Sequence, residues 1–153
     1  PYEWFPELFE RARKIGITMF SSPFDADAVD RLEGWGAPAY KIASNEFTDW
    51  PLVKKCAGTG KPLILSTGTA TLEEIEATVG FLSKIGAPDY ALLHCVSAYP
   101  APLSAANLTS IPALAERFGV AAGFSDHTLG VTAPTFSHHL RVAQRKLLAA
   151  CFD

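Results

Sequence analysis

The stretch "PLILSTGTATLEEIEATVGFLSK", residues 62–84, decides how the rest of the chain is read. Residues 62–67 form a short apolar run that ends in Ser66-Thr67-Gly68. A run without polar alternation fits a strand covered on both faces, as in parallel sheets. Thr71 and Glu74 follow in the T-x-x-E spacing of a capping box. Leu72, Ile75, Val79 and Leu82 then recur on one helical face. Strand, polar turn and amphipathic helix together make one βα unit.

The same unit repeats outward in both directions. Upstream, the pattern predicts a helix over 3–14, a strand over 16–21, a helix over 25–34 with Asp25 as N-cap and Gly34 as stop, and a strand over 38–43. A short helix over 51–58 carries Pro51 in its first turn. Downstream come a strand over 90–94, a helix over 107–118 and a strand over 120–124. Five strands alternating with helices are expected to form right-handed βαβ units around a parallel sheet. Two α/β architectures fit: a doubly wound open sheet or part of a (β/α)8 barrel. Neither GxGxxG nor GxxxxGK[ST] occurs. A complete barrel needs eight units and about 250 residues, so a barrel of five units in 153 residues would be partial.

Composition narrows the classes of function. The chain is 48% hydrophobic and 19% charged, with a formal net charge of −3. That is a globular composition with no general attraction for nucleic acid or anionic membrane. No apolar run reaches the roughly 20 residues of a membrane span. The opening residues lack the basic start and apolar core of a secretory signal, and Pro1 in place of Met implies that the N-terminus is not native. Cys56, Cys95 and Cys151 are widely spaced and odd in number. They read as two buried thiols and a tail thiol in a reducing cytoplasm, rather than as a disulfide framework.

Each predicted strand delivers polar groups at its C-terminal end. The first runs into Ser21-Ser22, and the second carries Lys41 and continues into Ser44-Asn45-Glu46. The third ends in Ser66-Thr67, the fourth in His94 followed by Cys95 to Pro100, and the fifth in Ser125-Asp126-His127-Thr128. In a parallel barrel these ends share one face, where the chemistry lies. A single serine there is more often a cap or turn residue, and His94 reads as a satisfied core histidine. Lys41 is harder to explain by packing, because a buried ammonium needs an anionic partner. It either pairs with a carboxylate such as Glu46 or awaits an anionic ligand. With Ser22, Ser44, Ser66 and Ser125 it would make a phosphate cradle of point charge and hydroxyl donors. Glu46 suits acid–base work, and His127 is the best single metal candidate, since imidazole suits Mn, Fe or Zn. His138 and His139 are adjacent, so they diverge on a helix and are expected to be exposed tail residues.

The stretches "FSSPFD", "APAYKIASNE", "PLILSTGTATLEEIE", "LLHCVSAYPAP" and "GFSDHTLG" closely resemble the sialic acid synthase family, from about residue 8 to residue 134. Those enzymes condense phosphoenolpyruvate with an N-acylated hexose to make nonulosonic acids. The details look most like the pseudaminic acid branch, with N-acetylneuraminate and legionaminic acid synthases as close alternatives. The resemblance implies a barrel catalytic domain, a divalent metal (Mn2+ or Mg2+), a cytoplasmic location and a homodimer in the full-length enzyme. It implies that Ser22, Lys41, Ser44, Ser66 and Ser125 bind phosphoenolpyruvate and that Glu46 is the catalytic carboxylate. It further implies that His127 is one of two metal histidines and that Ser97 and Tyr99 lie near phosphate and sugar. Two further βα units that begin the family are absent here. After Pro134 the text stops matching, so residues 1–134 read as the central part of a barrel domain and 135–153 as a divergent tail. An alternative from another class is a non-catalytic phosphate- or sugar-binding module, in which Glu46 would have no task.

Overall fold

The computed structural model describes residues 2–139. Four parallel strands form one sheet in the order β1-β2-β3-β4. They are β1 (Tyr40–Ile42), β2 (Leu63–Ser66), β3 (Tyr90–Cys95) and β4 (Ala121–Ser125). Around them run α1 (Phe5–Lys14), α2 (Ala26–Gly34), α3 (Trp50–Ala57), α4 (Leu72–Lys84) and α5 (Ser110–Phe118). Spatial order follows chain order without reversal. A doubly wound sheet reverses direction at a switch point, whereas successive right-handed crossovers in one direction put every helix on one face and generate a barrel wall.

Local capping signals in the sequence start α2, α3 and α4. The Thr71 hydroxyl accepts from the Glu74 N–H, and the Glu74 carboxylate accepts from the Thr71 N–H at 2.7 Å. Asp25 caps α2 by accepting from the Ala28 N–H at 2.7 Å. Asp49 does the same for α3, accepting from the Leu52 N–H at 3.1 Å, with proline in its first turn.

Most element ends shift by one to three residues from the sequence reading, and three differences matter for the site. Residues 16–21 do not form a strand. Their one sheet contact is a bridge from Ser21 to Tyr40, with the Lys41 N–H donating to the Ser21 carbonyl at 3.2 Å. Gly16 has φ +74°, and Ile15, Ile17 and Phe20 are exposed, so this edge segment has the composition of a strand without the burial that fixes one. The sheet therefore has four strands with a bridged edge rather than five. Helix α5 starts at Ser110 rather than 107, because Asn107 takes φ +37° and the chain turns there first. Strand β3 runs one residue past His94, to Cys95.

Pairing register sorts the strand residues onto two faces. Ile42, Leu65, Leu92 and Ala122 form one row, and Tyr40 and Leu63 lie on the same side. Except for half-buried Ala122, these side chains are essentially inaccessible and form the core with Val29 and Leu32 of α2, Val53 and Cys56 of α3, Leu82 of α4 and Leu114 of α5. Cys56 and Cys95 are buried thiols, as expected. Burial pushes the Cys56 thiol up to about 12, so it packs as an inert apolar group. The expectations for Cys151 and for most of the divergent tail fall outside the described residues. Residues 132–139 are helical, with His138 and His139 exposed.

At the N-terminal ends of the strands, the buried Tyr40 donates its hydroxyl proton to Glu33, which also pairs with the Lys61 ammonium at 2.5 Å. Burial alone would raise the Glu33 carboxyl, but the bonds from Lys61 and Tyr40 and the Lys61 charge outweigh it and hold it below its ordinary value. A carboxylate lowered in the folded state stabilises above its unfolded value of about 4.3, and that contribution fades as pH falls through the range. Glu33→Gln is therefore expected to lower the urea midpoint at pH 7 and to converge with the unaltered chain near pH 3. An equal deficit at both values would show that the charge is not responsible.

Candidate active site

The rows of the open face contain the candidate residues. Lys41 pairs in register with Ile64, Ser66 with Leu93, and Cys95 with Ser125. Because strand side chains alternate, Lys41, Ser66, Cys95 and Ser125 all lie on the side away from the helix-facing core. His94 and Phe124 lie on the helix side, stacked with ring centroids 6.0 Å apart. The His94 Nε2 bonds the Ala106 carbonyl at 2.8 Å, which satisfies it structurally.

Lys41 donates to the Ser66 hydroxyl at 2.5 Å, and among the described residues it makes no ion pair. Of the two partners left open by the sequence, Glu46 is not the one found. Burial pushes the Lys41 ammonium below its ordinary value, offset in part by the nearby Cys95. A half-buried cation of this kind is electrostatically unfinished.

The loop ends are tied in series. The Ser44 hydroxyl accepts from the Gly68 N–H at 3.0 Å, and the Thr69 hydroxyl donates to the Ser44 carbonyl at 2.7 Å. A side chain at Gly68 would put its Cβ 2.6 Å from the Ser97 hydroxyl and 3.0 Å from the Cys95 carbonyl. Glycine there lets the turns after β2 and β3 touch, and brings Ser97 to the same rim as Ser44. Ser44 and Ser66 each receive a hydrogen bond on oxygen, and among the described residues neither passes its own proton on. Each hydroxyl thus keeps a free donor, and that of Ser66 lies beside the Lys41 ammonium.

Glu46 ends the turn Ser44–Glu46, and its Oε2 is buried without a partner. Ser22 is half-buried beside the bridged Ser21. Ser125 lines the open face but is three strands away from Lys41 and does not touch it. His127 follows β4. Its Nδ1 meets the Val96 carbonyl at 2.9 Å and the Cys95 Sγ at 3.7 Å, and the exposed Tyr99 ring lies over it with centroids 4.1 Å apart. The neighbouring Asp126 accepts from the Thr128 N–H at 2.8 Å, which makes it a turn residue.

Among the described residues, no three His, Cys, Asp or Glu side chains stand together as a metal cluster. His127 fits the implied divalent ion as a single imidazole ligand, and no closed coordination sphere surrounds it. No helix among the described residues is long and apolar enough to cross a membrane. The sequence reading gave no site role to Cys95, Gly68 or Thr128, whose hydroxyl is buried without a partner. Ending the strand at His94 left Cys95 outside the alternation that puts it on the open face.

Known proteins resemble this arrangement over most of the chain. The pseudaminic acid synthase of Helicobacter pylori is 48% identical over 134 residues, covering 88% of this chain and 39% of the synthase. The N,N'-diacetyllegionaminic acid synthase of Campylobacter jejuni is 43% identical over 127 residues, covering 82% of this chain and 38% of that one. The crystal structure of N-acetylneuraminic acid synthetase from Leptospira borgpetersenii, in complex with citrate, superimposes with a TM-score of 0.85 at 36% identity. It takes in 90% of this chain and 48% of that one. The chain thus spans about two fifths of the length of the curated relatives it matches. The NeuB family model matches residues 1–141, and with the partial barrel wall and these relatives it shows that the chain belongs to the NeuB family.

Proposed function

We propose that this chain is the phosphoenolpyruvate-holding part of a nonulosonic acid synthase, with pseudaminic acid as the favoured product. One observation carries the reading: Lys41, desolvated and, among the described residues, without a carboxylate, stands beside the Ser66 hydroxyl on the open face of the sheet. An ammonium with free hydroxyl donors is built for a multiply charged oxyanion. Lys41, Ser44 and Ser66 hold the phosphate end, with Ser22 and Ser97 beside them and Ser125 facing phosphoenolpyruvate from the far end of the sheet. Tyr99 lies towards the sugar. Fixing both substrates supplies much of the rate, because it removes the entropy of bringing them together.

Glu46 handles the proton of the water that adds to the former enol carbon before phosphate leaves. Its buried, unpartnered Oε2 leaves an acceptor free for that proton. His127 would hold the divalent ion, Mn2+ or Mg2+, which supplies Lewis-acid polarisation of the sugar's aldehyde oxygen when bound. The enzyme works in the cytoplasm as a homodimer, and residues up to 134 belong to its barrel.

Pseudaminic acid is favoured on the 48% identity of the Helicobacter pylori synthase alone, since in Campylobacter jejuni the pseudaminic and legionaminic acid synthases are 42% and 43% identical. The reading is tested with a version extended to the relatives' length. With Mn2+ present, phosphate release from phosphoenolpyruvate is expected with one N-acylated hexose well above the others. If no N-acylated hexose supports release, the assignment fails.

A further inference from the structure

The end of β3 and the segment after it touch His127 four times. The Val96 carbonyl lies 2.9 Å from Nδ1, the Cys95 Sγ 3.7 Å from the same atom, and the Tyr99 ring lies over the imidazole. The Ala101 N–H also donates to the His127 carbonyl at 2.9 Å, beside a bridge between Ala101 and Thr128. A neutral imidazole has one N–H and one bare nitrogen, and a carbonyl can only accept. Opposite the Val96 carbonyl, Nδ1 must carry the proton. The thiol is too weak a donor to reverse this. Among the described residues, Nε2 has no hydrogen-bond partner.

We infer that residues 95–101 form a positioning cradle that holds His127 as its Nδ1–H tautomer, with a bare lone pair on Nε2 as the atom that would ligate a metal. The inference rests on the reading of His127 as a metal ligand and specifies how the chain prepares it. An imidazole that must first exchange tautomers and rotate binds an ion less well, and outer contacts of this kind typically carry 10–100-fold in affinity. The Val96 main chain sets the tautomer. Tyr99 keeps the ring from turning away from it. His94 provides an internal contrast, because its Nε2 faces the Ala106 carbonyl and so carries the proton instead.

The test is long-range 15N–1H correlation on the labelled, metal-free 153-residue chain at about pH 8.5, with His127 identified by the signal lost in His127→Gln. The expected spectrum shows His127 as Nδ1–H and His94 as Nε2–H. Tyr99→Phe retains the His127 pattern, and Tyr99→Leu converts it to a mixture of both tautomers. Tyr99 is 78% exposed, so neither change threatens the fold. A dominant Nε2–H form of His127 in the unaltered chain overturns the inference. An unmixed Nδ1–H pattern in Tyr99→Leu removes the ring from the cradle. An extended enzyme that never releases phosphate would overturn the proposed function, yet leave this measurement unaffected.

Discussion

In the version extended to the relatives' length, Glu46→Gln is expected to cut metal-dependent phosphate release by about 100-fold or more, the scale of a lost general acid–base group. The substitution keeps shape and volume and removes only the ability to take and return a proton. Folding should be spared. Glu46 sits in a three-residue turn rather than a packed helix, and its Oε2 is buried without any bond that the change could break. An orphaned carboxylate oxygen costs stability rather than supplying it. The far-ultraviolet circular dichroism and thermal midpoint should therefore be unchanged or slightly improved while turnover collapses. Turnover within about threefold of the unaltered enzyme would take Glu46 out of the mechanism.

The second large effect is expected at Lys41, where binding and stability should move in opposite directions. Lys41→Met keeps an unbranched side chain but removes the ammonium. Hydrogen bonds to charged groups contribute about 1.5–3 kcal/mol, so phosphoenolpyruvate affinity measured by titration calorimetry should fall about 10- to 100-fold. The same change relieves the burial of a cation that, among the described residues, has no carboxylate. A thioether prefers the company of Ile64 and Leu93, which share that face. The thermal midpoint should rise by about 2–4 °C for each kcal/mol gained. Affinity within twofold of the unaltered chain would place the anion elsewhere, and a lowered midpoint would mean that the bond to Ser66 matters more than the desolvation.

The parts of this molecule legible in its sequence are those governed by local chemistry. Thr71 and Glu74 announce α4 because a capping box is satisfied within four residues. Asp25 announces α2 for the same reason. The open-face residues were also within reach, since Lys41 and Ser66 are polar interruptions of runs that burial would otherwise keep apolar. The failures lie where neighbours decide. The segment 16–21 has strand composition but meets the sheet through one bridge, and composition cannot report a missing neighbour. Asn107 takes a left-handed conformation that advances the turn and delays α5. The role of Cys95 depended on a boundary one residue later than periodicity suggested, and Gly68 on a contact with a loop nearly thirty residues away. The meeting of Ser44 with Gly68, or of Val96 with His127, belongs to tertiary structure alone.

The bonds received by Ser44 and Ser66 have one more consequence. Each hydroxyl oxygen already accepts, from the Gly68 N–H and from Lys41 respectively, so only outward protons remain. With the ammonium beside Ser66, this stretch of the rim behaves as a polarity filter. It welcomes a molecule that presents lone pairs and offers little to an amine or amide of the same size. Discrimination of that sort needs no tight steric fit, because it is written into the direction of the hydrogen bonds before any visitor arrives.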